Sequence, residues 1–232
     1  MKKISLILLS FVALFSVGTV KGQEFFDTSD ATKFFTLGGR IGFNTSNRTF
    51  PSGHFNQWSN NSWGIGFNVG AVANLNFKEY LTLQPGIFYE SRSGNYAYLT
   101  EYINYYGTTS SHYEMGHLRA YYITVPVLGV VKFNLADYIK WSVEFGPYFQ
   151  VKLKETGQNN VTVLYREPQS NQYLQYTARH RNYDIGFKMG SGLQFFQHYY
   201  VGFHYLAGVC NAWKLPSGGR NKSWMFTVGY DF

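Results

Sequence analysis

The chain has 232 residues, a length that suits one domain. Aromatic residues make up 20%, charged residues only 14%, and the formal net charge is +7. The cations are not clustered as nucleic-acid binding would need, and the single Cys210 excludes an internal disulfide. No apolar run of about 18 residues lies beyond the N-terminus, which argues against a helical membrane protein.

Lys2 and Lys3 lead an apolar stretch from Ile4 to Val17, and Val20-Lys21-Gly22 precedes a suitable cut ahead of Gln23. A secretory signal peptide is expected over 1–22, a short N-terminal periplasmic segment over 23–33 and a barrel domain over 34–232. Cleavage removes Lys2, Lys3 and Lys21 and leaves +4 of the +7. No Cys follows the apolar stretch, so a lipid anchor is not expected.

The mature chain breaks into eight segments of period two, at 34–45, 62–77, 81–93, 118–133, 139–154, 181–196, 199–210 and 223–232. Each is long enough for a tilted strand to cross a bilayer. The joins alternate: Lys78-Glu79-Tyr80, 134–138 and Gln197-His198 are short, whereas 46–61, 94–117, 155–180 and 211–222 are long. Short turns at one end and long loops at the other predict an all-β fold, an eight-stranded antiparallel up-and-down transmembrane β-barrel of the bacterial outer membrane. An even strand count puts both termini on the periplasmic side.

Facing follows from the alternation. In the second segment Trp63, Ile65, Phe67 and Val69 share one face, and Gly64, Gly66, Asn68 and Gly70 the other. In the fifth, Trp141, Val143, Phe145 and Phe149 oppose Ser142, Glu144, Gly146 and Gln150. The apolar face carries the bulky aromatics and the charges fall on the face crowded with Gly. Small residues suit a narrow interior, so the charged face is read as the lumen. Trp63 and Trp224 are expected near the outer interface; Phe77, Tyr80, Trp141, Tyr199 and Phe232 near the inner one.

Inward positions include Arg40, Glu90, Arg92, Lys140, Glu144, Lys152, Asp184, Lys188, His204 and Asp231. Opposite charges confined there should pair, because unpaired buried charge is costly. Arg40, Glu90, Glu144, Asp184 and Lys188 are read as a lumen polar network, with Arg40, Glu90, Glu144 and Lys188 at its centre. Arg166, Arg179 and Arg181 are candidates for contact with lipopolysaccharide phosphates, which Arg forks suit. The Tyr-, Ser- and Asn-rich second loop, from Gly94 through Gly107, suits adhesion or a protein partner.

Catalytic signals are weak. Gly190-Ser191-Gly192 falls short of a nucleophile motif, and Ser191 lies on the lipid-side parity. His112, Glu114 and His117 are residue types that can bind a transition metal, but their spacing is not a strong metal signature and they are read as solvated loop. No enzyme activity, cofactor, metal or nucleic-acid partner is expected.

Four stretches carry a family resemblance: Leu37-Gly38-Gly39-Arg40-Ile41-Gly42-Phe43-Asn44, Tyr121 to Val127, Arg181 to Gly186 continuing through Gly192, and Asn221-Lys222-Ser223-Trp224 leading into Phe226 to Phe232. Together they resemble the PorT-like outer-membrane β-barrel family over nearly the whole mature chain. The resemblance implies insertion by the barrel-assembly machinery through the C-terminal strand, with Phe226, Val228, Tyr230 and Phe232 on its apolar face. One branch of that family serves protein secretion, which implies an accessory role in a secretion or surface-assembly system as an alternative. A narrow channel is a further alternative.

Overall fold

A computed structural model describes residues 25–48, 62–103, 109–156, 160–166, 173–179, 181–211 and 220–232. Ten strands run in chain order: β1 Phe35–Arg48, β2 Ser62–Asn76, β3 Leu81–Ile103, β4 Thr109–Ala136, β5 Ile139–Thr156, β6 Asn160–Arg166, β7 Tyr173–Arg179, β8 Tyr183–Phe195, β9 Tyr199–Gly208 and β10 Asn221–Asp231. Eight close into a barrel in the order β1-β10-β9-β8-β5-β4-β3-β2, with every pairing antiparallel. β6 and β7 form a separate hairpin inserted between β5 and β8. Closure rests on the β1–β10 seam, which runs in register from Gly38↔Asp231 to Arg48↔Asn221. Among the described residues no helix is long and apolar enough to cross a membrane.

All eight expected segments are barrel strands, but two loop readings need correction. The stretch 94–117 is largely strand, because β3 and β4 stay paired from Leu81↔Val131 out to Ile103↔Thr109. Its Tyr, Thr and Ser content favours β structure as readily as loop, and a hairpin once zipped continues while its backbone groups pair. The stretch 155–180 likewise holds the β6–β7 hairpin, paired from Asn160↔Arg179 to Arg166↔Tyr173. The barrel therefore has a turn end, where β2–β3, β4–β5 and β8–β9 connect tightly, and an extension end, where these hairpins continue the strands.

The alternation becomes two surfaces. Outward side chains such as Ile41, Phe43, Ile65, Phe145, Phe187 and Phe203 are exposed. Several stack across strands: Phe43 on Phe226 at 5.3 Å, Phe145 on Phe187 at 5.7 Å and Phe203 on Trp224 at 5.1 Å. Inward positions are buried, and polar or charged side chains such as Asn44, Asn68, Glu90, Arg92, Glu144 and Gln150 are prominent among them. This is the reverse of a soluble barrel. The interior is not wholly polar, however: Tyr148, Leu206 and Met225 form an apolar cluster within it.

Two departures from regular ladders stand out. The β2–β3 register shifts between Trp63 and Asn68, where β2 carries one residue more than β3, and Ser91, Arg92 and Ser93 opposite are all buried. The β8–β9 turn holds Phe196 at φ 51° and Gln197 at φ 65°. His198 N–H donates to Phe195 O at 3.1 Å across it. Positive φ at both central residues matches the right-handed strand twist, but L side chains resist it. Gln197→Gly is therefore expected to raise the unfolding free energy by about 1 kcal/mol, read as a higher urea midpoint for the unboiled, fast-migrating gel band.

Candidate functional site

The lumen side chains project from alternate residues of all eight strands. On β1, Arg40 reaches across the closing seam, and its Nη2 donates to Asp231 Oδ1 of β10 at 2.7 Å. The same guanidinium lies 4.3 Å from the ring centre of Tyr200 on β9. Tyr200 OH donates to Glu144 Oε1 of β5 at 2.6 Å, and Ser142 Oγ donates to the same oxygen at 2.9 Å. His204 Nε2 takes Glu144 Oε2 at 2.9 Å. Glu144 is thus a hub held from two strands, with its whole residue 2% exposed.

A second unit sits on β3. Arg92 donates through Nε and Nη2 to Glu90 Oε2, at 2.9 and 2.6 Å. Its guanidinium lies 5.5 Å from the ring centre of Tyr122. Asp184 of β8 forms a third: its Oδ2 accepts from Asn221 Nδ2 at 3.0 Å and from Tyr148 OH at 3.2 Å. Lys188 lies 4.7 Å from the ring centre of Phe88. Among the described residues, no carboxylate stands within ion-pair distance of it.

Arg40, Glu90, Glu144, Asp184 and Lys188 are thus all buried in the lumen, but they do not bond one another. Each binds a neighbour outside the set or, for Lys188, a ring. Alternation placed Ser142 and Tyr148 inward, but sequence reasoning gave no role to them or to Tyr200 and Asn221; their partners depend on how far each strand is staggered.

The turn end is a second region. Residues 25–34 fold back along it before entering β1. Ser29 O accepts from Glu79 N–H at 3.2 Å, and Phe25 O accepts from Asn134 N–H at 3.1 Å. Phe25 and Phe26 pack on Phe133 at 5.0 and 4.9 Å, and Phe133 stacks on Trp141 at 5.0 Å. This strap and the barrel rim enclose a polar cavity of about 380 Å³, lined by Thr32, Asn76, Glu79, Lys132, Lys140 and Asp231 among others. Glu79 joins strap to barrel: Oε1 accepts from Thr32 N–H at 2.9 Å and Oε2 from Lys140 Nζ at 2.7 Å. Burial pushes the Glu79 carboxyl up, but the Lys140 and Thr32 bonds outweigh it and hold its pKa at about 2, against 4.5 ordinarily.

At the extension end, Arg181 precedes β8 on the outward parity. Its Nη1 donates to Tyr183 OH at 3.1 Å, with the guanidinium 5.7 Å from that ring's centre. Arg179 and Arg166 lie at opposite ends of the β6–β7 hairpin, so the backbone separates two of the three candidate arginines. Their side chains lie outside the described residues, as do those of His112 and Glu114. No group of three metal-ligating side chains occurs among the described residues. Ser191 is exposed on the outward face and accepts from Trp141 Nε1 at 2.6 Å.

An apolar outer belt around a polar, ion-paired interior, with eight strands closed into a ring, defines an integral membrane β-barrel. The chain belongs to the outer membrane protein beta-barrel domain family, whose model matches residues 23–212, and it is a bacterial outer-membrane β-barrel protein. Among solved structures it is similar to Ail of Yersinia pestis in complex with the heparin analogue sucrose octasulfate. That likeness has 13% identity and a TM-score of 0.40, covering 86% of this chain and 100% of that one. Neisserial surface protein A is 10% identical at a TM-score of 0.43, covering 86% of this chain and 98% of its own. OprG from Pseudomonas aeruginosa is 9% identical at a TM-score of 0.37, covering 89% and 99%. No protein of curated function matches the chain.

Two outcomes follow from this geometry. Glu144→Ala leaves Tyr200, His204 and Ser142 without their shared acceptor and should cost about 3–5 kcal/mol, whereas Tyr200→Phe removes one bond to a carboxylate and should cost about 2 kcal/mol. Urea midpoints of the heat-modifiable band rank the two; equal midpoints to the parent would refute the hub. For Glu79, the depressed pKa means that its contribution is full above pH 4.5 and lost as pH falls through about 2. Hydrogen exchange at the Thr32 amide should stay slow from neutral pH down to that window and quicken within it, and Glu79→Gln should abolish the change.

Proposed function

We propose that this protein is a non-enzymatic outer-membrane barrel whose extension end faces outward and contacts lipopolysaccharide, with its turn end and both termini in the periplasm. The observation that carries the reading is the charge at the extension end. Among the described side chains there, Arg119, Lys152, Lys154, Arg181, Arg220 and Lys222 outnumber two acids, Glu155, which pairs with Lys152, and Asp184, which is held by Asn221. Arg119 and Lys154 are exposed, and Arg181 lies against a tyrosine on the outward face, at the level where anionic head groups meet the barrel. Guanidinium groups suit phosphate by bidentate bonding. The long β3–β4 hairpin, rich in Tyr, Ser and Thr, adds a surface for adhesion or a protein partner.

A non-enzymatic role fits the side chains. His204 is committed to Glu144 inside the lumen, and Ser191 is on the opposite face, bonded to Trp141. Assembly through the strand bearing Phe226, Val228, Tyr230 and Phe232 is expected to use the barrel-assembly machinery. The PorT-like motifs support an accessory role in secretion. A stoichiometric partner copurifying in mild detergent would bring that role forward.

The test is binding of the refolded barrel to lipopolysaccharide-containing nanodiscs, next to nanodiscs of zwitterionic lipid. The triple variant Arg119→Ser, Lys154→Ser and Arg181→Ser should bind about tenfold more weakly, as the loss of about 1.4 kcal/mol of charge-assisted contact implies. Its heat-modifiable shift should be unchanged. Raising the salt should shrink the difference. Equal affinity of parent and variant would dismiss the lipopolysaccharide reading.

A further inference from the structure

One wall of the lumen carries polar atoms that no protein group satisfies. Thr124 on β4, Gln150 on β5 and Asp184 on β8 are register partners, Thr124↔Gln150 and Gln150↔Asp184, and all three point inward. Gln150 is 0% exposed, Thr124 1% and Asp184 3%. Yet Gln150 makes no hydrogen bond through Oε1 or Nε2, Thr124 makes none through Oγ1, and Asp184 makes none through Oδ1. The other Asp184 oxygen is occupied by Asn221 and Tyr148, so the carboxylate is anchored on one side and open on the other.

Four of the orphaned atoms thus lie on three adjacent, register-paired strands, while others, at Asn44, Asn68, His204 and Thr227, are spread around the ring. A buried amide or hydroxyl without a partner costs about 1–3 kcal/mol each, and a carboxylate oxygen more. A water molecule bonds two to four polar groups and is the usual remedy in a polar, enclosed site. From this geometry we infer that the Thr124–Gln150–Asp184 wall is an internal hydration site holding at least two water molecules. Two are required because the carbonyl and amino ends of the Gln150 carboxamide diverge, so one water cannot serve both. The donor and acceptor inventory fits: Gln150 Nε2 donates, Gln150 Oε1 and Asp184 Oδ1 accept, and Thr124 Oγ1 does either.

A metal cation suits the site less well, although three oxygens are present. Arg92 faces the same lumen, its guanidinium beside Tyr122, the next inward residue to Thr124 on β4. Lys188 follows Asp184 on β8 at the second inward position and is equally buried. Arg92 acts on Asp184 across the lumen and opposes a further cation there, which leaves neutral water as the fitting ligand.

The experiment uses the full mature barrel in micelles, labelled at glutamine side chains, with the Gln150 amide signals identified by their loss in Gln150→Met. Cross-relaxation between those amide protons and water is expected in the parent. Its absence would overturn the proposal. The urea midpoint supplies an independent sign. Thr124→Val and Gln150→Met remove groups that water satisfies, so both midpoints should fall. If the wall is dry, each substitution removes an orphaned polar atom, both midpoints rise, and the proposal is wrong. Should Gln150→Met fail to fold, Gln150→Asn supplies the assignment by the same loss, and the Thr124→Val midpoint still decides. A displacement of the Gln150 amide signals on adding sodium or calcium chloride, absent with an equal concentration of a bulky organic cation, would assign the site to a metal ion and overturn the hydration reading.

Discussion

Everything in this molecule follows from one constraint: inside a bilayer no water is available to bond the backbone, so every N–H and C=O of the spanning strands must find a partner in the sheet. An open sheet would leave two unpaired edges. The β1–β10 seam removes both, and its unbroken register from Gly38 to Arg48 completes the ring. Once the ring is closed, strict alternation leaves each side chain only two environments. Phe43, Phe226 and Phe203 go to the lipid side, while Asn44, Thr227 and His204 go to the interior. The membrane selects which set is apolar, and the choice inverts the arrangement of a soluble barrel.

That inversion moves the energetic difficulty into the lumen, where charges sit in a narrow, largely enclosed space. The solution is local. Arg92 neutralises a carboxylate two residues away on its own strand, through a fork of two bonds, and the strand period of two keeps both side chains inward. Arg40 and Asp231 do the same across the seam, so the pair that neutralises charge also ties the first strand to the last. Glu144 is held differently, by hydroxyls of Ser142 and Tyr200 together with His204. Dipoles and short bonds can solvate a buried carboxylate as a full counter-charge does. Lys188 shows the complementary answer for a cation, the face of an aromatic ring.

The sequence reveals some of this and conceals the rest for physical reasons. The eight spanning segments were legible because period two is imposed residue by residue: Trp63, Ile65, Phe67 and Val69 cannot alternate with Gly64, Gly66 and Asn68 by any other geometry. Inward charge was legible for the same reason. The lumen pairings were not. Which inward residue of β5 meets which of β9 depends on tilt and stagger around the whole ring, a property of all eight registers together. Arg40 thus meets Asp231, and Glu144 meets Tyr200 and His204. The β6–β7 hairpin was hidden because its Val161-Thr162-Val163 and Tyr173 to Tyr176 stretches are short and flanked by polar residues. Strand pairing there depends on each stretch meeting the other. The strap over the turn end was also hidden, since Phe25 and Phe26 acquire meaning only when Phe133 and Trp141 stand beside them.

The two ends of the barrel then divide the labour. At the turn end the connections are minimal, acids and lysines are matched, and the Glu79 bridge fixes the strap to β5 through Lys140. Such an end holds the fold together. At the extension end the strands continue well past the span, with β3 and β4 paired for some ten residues beyond the bulge, and the described side chains are predominantly cationic. Backbone paired so far outside the barrel contributes little to closing it. A lumen occupied by an ion-paired core and by Tyr148, Leu206 and Met225 leaves little room for a solute path. The unmatched positive charge is therefore concentrated at the extension end, and a function for this barrel is most economically sought in what that basic, tyrosine-rich end touches.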